Sequence, residues 1–231
     1  MSKLVNNWFK IWLSVIAFLA GETFFAVVSA GSWMTWQQRI IGIFLTVLVV
    51  HIIEEGTLPG GFFYMYNTVF DPQNKLYDRY PINRFSEMIE NFFGVLVATA
   101  CFWFWPNTVT VIMWFAVCLV EIPGHLVTGI KMRRLLRAQG KVKRTIYNPG
   151  LVSDLLGFLP LAIVMLVNLV RTGTTWQQWL GGLALGVVSM LVCIQIPDKL
   201  LMNKKSRYVY TNGYGYFDKF GIRPDQGPHD K

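Results

Sequence analysis

Charge is scarce in this chain. Asp, Glu, Lys and Arg make up 15% of its 231 residues, where a soluble domain of this length carries about 25%. That shortage excludes an ordinary water-facing surface. Histidine is scarcer still, with only His51, His125 and His229. Three are too few for a membrane desaturase with its many histidines. The three cysteines, Cys101, Cys118 and Cys193, all fall in apolar runs. No pair has metal-ligand or disulfide-framework spacing, so they read as small core residues. Neither H-E-x-x-H nor H-x-x-E-H occurs, which sets aside the known zincin motifs. No internal repeat of the kind found in many transporters is visible.

What the chain has in quantity is apolar surface. It is 53% hydrophobic and 15% aromatic, with nine tryptophans and a mean hydropathy of +0.40. In a soluble protein the net charge of +8 would suggest nucleic acid. Here it reports basic loops facing an anionic leaflet, and no nucleic-acid partner is expected. A crossing helix needs about 20 mostly apolar residues. Six segments qualify: 8–30, 40–58, 85–105, 108–130, 151–170 and 176–197. The first is too long for the apolar region of a signal peptide and contains Glu22, so it reads as a retained span. "PGG" at 59–61, "WPN" at 105–107 and "NPG" at 148–150 break the runs. "GGFFYMYNTVF" is too aromatic and turn-rich for a seventh span and suits the membrane interface.

Of the 21 Lys and Arg, only Arg39 and Arg171 fall on one side of this arrangement. The rest lie in the N-terminus, the 59–84 loop, "KMRRLLRAQGKVKR" and the tail. By the positive-inside rule both termini are cytoplasmic. The expected fold is therefore an all-α, polytopic helical bundle of six transmembrane helices over 1–197. A polar, weakly structured cytoplasmic tail follows over 198–231.

The ionisable residues gather at one depth. His51, Glu54 and Glu55 stand at i, i+3 and i+4 near the inner end of the second span, on one helical face. Glu87, Glu90 and Asn91 repeat the pattern at the start of the third, and Glu121 and His125 stand at i and i+4 in the fourth. Asn148 and Asp154 open the fifth. A rise of 1.5 Å per residue puts these positions within roughly 5–15 Å of the inner end of the hydrocarbon. Charge at such depth is expensive, so these residues need partners.

Two histidines with several carboxylates on facing helices are what a divalent metal site in a bundle requires. The cation offsets the cost of burying the acids, which would otherwise repel and mostly protonate. The expected metal ligands are His51, Glu54, Glu87, Glu121 and His125, with Glu55 and Glu90 as catalytic carboxylates. Asn91, Asn148 and Asp154 are expected to bind substrate or support the ligands. Plainer readings exist for each. Glu54 and Glu55 could snorkel to the interface, and Glu87 and Glu90 could be first-turn residues favoured by the helix dipole. His51 and His125 could be hydrogen-bonded core histidines. Asp154 could be a helix-start carboxylate, Asn148 a cap, and Glu22 a proton relay or a packing residue.

"HIIEE" at 51–55 resembles the H-x-x-E-E signature of the HXXEE-domain proteins, small polytopic membrane proteins without an established function. "EIPGH" at 121–125 and "YNPG" at 147–150 resemble that family's other polar blocks, and the similar region runs from about 40 to 197. The matching residues are His51, Glu54, Glu55, Glu121, His125, Asn148 and Pro149. The resemblance implies a site and no particular reaction.

The chemistry expected of these residues is a membrane-embedded, metal-dependent enzyme acting on a lipid-like or amphipathic substrate, with membrane lipid as its partner. One zinc ion would favour hydrolysis; two iron ions would favour oxidation. The alternative is a proton- or cation-coupled transporter. A haem held by His51 and His125 sits poorly beside five glutamates, and a scaffold role leaves the glutamates unexplained.

Overall fold

The computed structural model describes residues 3–210 and 214–223. Those described residues are helical, with no strand among them. Seven helices follow in order: α1 (Lys3–Ala30), α2 (Trp36–Gly56), α3 (Phe62–Phe70), α4 (Arg84–Phe104), α5 (Thr108–Ala138), α6 (Leu151–Arg171) and α7 (Trp176–Leu201). Five of them, α1, α4, α5, α6 and α7, are long and apolar enough to cross a membrane. α2 is as long as α4 but begins with Gln37, Gln38 and Arg39 and ends with Glu54 and Glu55.

Local chemistry sets the helix starts. Thr35 caps α2 by accepting from the Gln38 amide at 3.2 Å. Asn83 with Ser86, Asn107 with Thr110 and Thr175 with Gln178 form reciprocal capping boxes at the starts of α4, α5 and α7. Two helices widen into a π turn, α6 at Asp154–Phe158 and α7 at Leu191–Gln195. Each π turn is followed two residues later by a proline, Pro160 or Pro197. A proline has no N–H to donate and its ring crowds the carbonyl one turn back, so the preceding turn opens.

α2 lies at the centre, against α1, α4, α5 and α6. Phe44 of α2 stacks on Trp114 of α5 at 4.6 Å and on Phe158 of α6 at 5.4 Å, joining three helices through one aromatic column. α7 packs on α5 through Gly182 and Gly186, a small-xxx-small stripe that lets two backbones approach. A Cβ at Gly186 would stand 2.9 Å from the Ala116 Cβ. Outward-facing side chains of α1, α6 and α7, such as Phe18, Phe25, Ile163, Val170, Leu180 and Val187, are apolar and exposed. A face of that kind suits lipid rather than water.

Two expectations change. α5 was expected to end near 130 but runs to Ala138, about 46 Å in all. "KMRRLLRA" continues the helical repeat, and its Met132 and Leu136 are buried. The segment after 197 is not simply a loose polar tail. α7 reaches Leu201, and Gly215–Phe220 forms a 3₁₀ helix whose Phe217 is fully buried against Tyr64, Met65, Met132 and Leu136. Tyr214 stacks on Tyr64 at 3.7 Å, and the Tyr64 hydroxyl donates to the Ile222 carbonyl. Average polarity hid these few aromatic anchors. The remainder of the expected tail, 224–231 with His229, and residues 211–213 lie outside the described residues. "GGFFYMYNTVF" forms the short α3, with buried Phe63, Tyr64 and Met65, rather than a span.

Gly186→Leu is expected to overpack the α5–α7 contact and cost about 1–3 kcal/mol. Gly21→Ala, whose added Cβ meets nothing within 4 Å, should leave stability unchanged or raise it slightly. Thermal unfolding in detergent, comparing both variants with the parent, checks this.

Candidate metal centre

The last two turns of α2 carry His51, Glu54 and Glu55, and packing against α5 and α6 buries all three. α5 brings Glu121 and His125 to the same place. One ligand atom each from His51, Glu121 and His125 lie within 4.8 Å of one another. The imidazoles meet edge to face, with ring centroids 4.9 Å apart. Glu55 stands between them, its Oε1 3.5 Å from His51 Nε2 and 3.1 Å from His125 Nε2. Donors bound to one ion at about 2.0–2.1 Å in a tetrahedron are roughly 3.3 Å apart. Glu55 Oε1 stands at about that spacing from each of the two Nε2 atoms.

Behind the imidazoles a second layer sets which nitrogen faces inward. His125 Nδ1 is 2.7 Å from Asn148 Oδ1. The amide orientation is fixed because Asn148 Nδ2 donates to the carbonyls of His125 and Ile146. Asn148 Oδ1 is therefore the acceptor, His125 Nδ1 donates to it, and Nε2 faces the Glu55 carboxylate. Gly150 makes this approach possible. Its φ is +98°, and a Cβ there would run into the His125 ring.

His51 Nδ1 lies 3.0 Å from Ser153 Oγ and 3.5 Å from Asp154 Oδ1. Ser153 Oγ donates onward to Glu54 Oε2 at 2.6 Å, so its lone pair is open to the His51 N–H. The second imidazole is thus oriented like the first, with Nδ1 held from behind and Nε2 toward Glu55. Asp154 is fully buried at the π turn, and neither of its carboxylate oxygens has a hydrogen-bond partner among the described residues. Asp154 is the first residue of that turn.

Glu54 has a different place from the one expected of a metal ligand. Its carboxylate accepts from the Val152 and Ser153 amides at 3.2 and 2.8 Å, from Ser153 Oγ and from the Tyr147 hydroxyl at 3.3 Å. It sits at the N-terminus of α6, where free amides and the helix dipole neutralise an anion. Burial and the nearby Glu54 push the Tyr147 phenol above its ordinary range, which keeps it a donor.

The centre opens into a cavity of about 520 Å³. Phe62 of α3 closes one side by stacking on His125 at 4.4 Å. Leu48, Trp114, Val117 and Val120 make much of the wall apolar. Glu90 and Asn91 line the same cavity, as does Asp198 of α7. Glu87 does not; it faces a neighbouring cavity of about 420 Å³ together with Lys10, Arg84 and Tyr210, and Glu55 borders both spaces. The structure thus brings together His51, Glu55, Glu121 and His125, with Asn148 and Asp154 behind them. Glu54 stands one layer out, Glu90 and Asn91 are across the cavity, and Glu87 is apart.

Sequence reasoning missed Ser153, Tyr147, Phe62 and Asp198. Ser153 beside Asp154 carried a usable signal, since a hydroxyl at a helix start is a common acceptor. Asp198 fell on the wrong side of a boundary drawn at 197. Phe62 and Tyr147 carried none.

The loop that presents Asn148 is tied by Lys143, which is 2% exposed and donates to the carbonyls of Thr145 at 2.9 Å and of Tyr147. Burial, with Lys219 and Arg133 nearby, pulls its amine from an ordinary 10.5 down to about 8. Between those values the unfolded chain binds more protons than the folded one, so this contribution to stability grows as pH rises through the window. The difference in melting temperature between parent and Lys143→Met should shift in the parent's favour from pH 7.5 to 10. A pH-independent difference would show that the amine does not titrate between folded and unfolded states.

Comparison with curated proteins and with solved structures returned no match. Against protein-family models, residues 42–165 match the one described as "Protein of unknown function with HXXEE motif". That match spans His51, Glu55, Glu121, His125 and Asn148, and more than half of the chain. On the strength of these residues and their arrangement, the chain belongs to the HXXEE family.

Proposed function

We propose that this protein is a membrane-embedded, metal-dependent hydrolase of a lipid-like or amphipathic substrate, with one divalent ion held by His51, Glu121 and His125. Two imidazoles and one carboxylate, with a further position open, is the donor set of catalytic zinc sites. The observation that carries the reading is the shared orientation of the two imidazoles. Both histidines spend Nδ1 on acceptors behind them and turn Nε2 toward the same point, beside carboxylates. A buried core histidine needs one such partner; two aligned in this way are arranged for an ion.

An ion held there would supply an acidified water and a Lewis acid for a carbonyl. Glu55, within reach of both Nε2 atoms, is placed to accept a proton at that point. The apolar walls receive the substrate's hydrocarbon part, and the cavity volume of about 520 Å³ lies within the usual range for small-molecule sites. Asn148 and Asp154 keep the imidazoles oriented.

Elemental analysis of detergent-purified protein checks the ion. Zinc is expected near one equivalent in the parent and depleted in His51→Ala and Glu121→Gln. Asn148→Ala should bind it about 10–100-fold more weakly, and Glu54→Gln should keep it. Glu55→Gln should retain the ion yet lose at least 100-fold in hydrolysis of a fluorogenic long-chain ester. Retention at parental stoichiometry in both ligand variants would remove them as ligands. A metal-free parent stabilised by sodium or by protonation would instead indicate a carrier.

The proposal includes six crossings, with α2 as the sixth, and both termini in the cytoplasm. The support is the confinement of Lys and Arg, apart from Arg39 and Arg171, to one set of connections. The centre would then lie beneath the cytoplasmic leaflet. A reporter fused after Lys231 should read cytoplasmic; an external reading would reverse the assigned sidedness.

A further inference from the structure

Across the cavity from the imidazoles lies a second polar group that the metal chemistry leaves unused. Glu90 of α4 is 7% exposed, and its Oε1 has no hydrogen-bond partner among the described residues. The carboxyl of Asp198, from α7, meets it within hydrogen-bonding reach, and Asp198 Oδ1 has no other partner among the described residues. Both residues line the same cavity as His51 and His125. No Lys or Arg lines it. Two adjoining carboxylates in an apolar enclosure repel each other unless a cation or a shared proton lies between them.

A second metal ion fits poorly, because among the described residues no third His, Cys, Asp or Glu joins this pair in a ligand-sized group. An ammonium needs no such shell. It offers three N–H donors, which two carboxylates can take up. Its apolar substituent would find walls already built in Trp114, Val117, Val120 and Ile194.

We infer that this cavity binds an amphipathic primary amine, its ammonium held between Glu90 and Asp198 and its hydrocarbon chain along the apolar wall. The π turn at Leu191–Gln195 and Pro197 put Asp198 in position for this, as the equivalent turn does for Asp154. That the amine is the hydrolase's substrate rests on the proposed function; that it binds does not.

The test uses the full-length protein in phosphatidylcholine nanodiscs, with radiolabelled dodecylamine as probe and empty nanodiscs subtracted. Unlabelled dodecylamine should displace the probe at least tenfold more effectively than dodecanol. Glu90→Gln/Asp198→Asn should abolish that preference while its metal content stays parental. Asp198→Asn alone, at a half-buried position, should reduce the preference and guards against misfolding of the double variant. Equal displacement by amine and alcohol, or a preference that survives both variants, overturns the inference and leaves a carboxyl pair sharing a proton. A metal-free parent that still prefers the amine would sink the hydrolase reading and leave this one standing.

Discussion

One buried carboxyl group organises the end of the bundle where the two imidazoles lie. Glu54 is enclosed by α2 and α6, and two amides, a serine hydroxyl and a tyrosine hydroxyl converge on it. An isolated carboxylate in such surroundings would cost many kcal/mol. At a helix N-terminus the same charge satisfies donors that otherwise have no partner. The contact therefore docks α6 onto α2 at one register. Because Ser153 both donates to Glu54 and stands beside His51 Nδ1, the docking also orients the imidazole. The first glutamate of the family's motif is structural in this sense, and the second faces the cavity.

Proline does related work at a distance. Pro160 and Pro197 each open the turn before them, and each opened turn begins with or lies near an aspartate, Asp154 behind the imidazoles or Asp198 at the cavity. A regular α-helix would carry these carboxyls round by 100° per residue to other faces. The inserted residue shifts the register without ending the helix. The aromatic column of Phe44, Trp114 and Phe158 then forms a rigid, dry floor directly beneath His51.

The helical class, the apolar segments and the polar layer were all legible in the chain. Long apolar runs broken by Pro and Gly leave the backbone no other way to satisfy its hydrogen bonds in lipid. The i, i+3, i+4 spacing of His51, Glu54 and Glu55 is a property of any helix, so it put them on one face wherever that helix packs. Glu121 and His125 shared a face for the same reason. The basic extension of α5 and the aromatic anchors Tyr214 and Phe217 were obscured because composition averages over the few residues that bury.

Sequence by itself determined that the chain is helical, lipid-adapted and provided with a stripe of acids and imidazoles on successive helices, since these follow from periodicity and transfer cost. Only the tertiary structure decided which of those acids meet the imidazoles. Adjacent residues of α2, Glu54 and Glu55, took different roles because α6 docks on one side of the helix and α5 on the other. Glu87 and Glu90, one turn apart in α4, fell into different cavities. Helix rotation and neighbour identity set such outcomes, and a one-dimensional pattern carries neither.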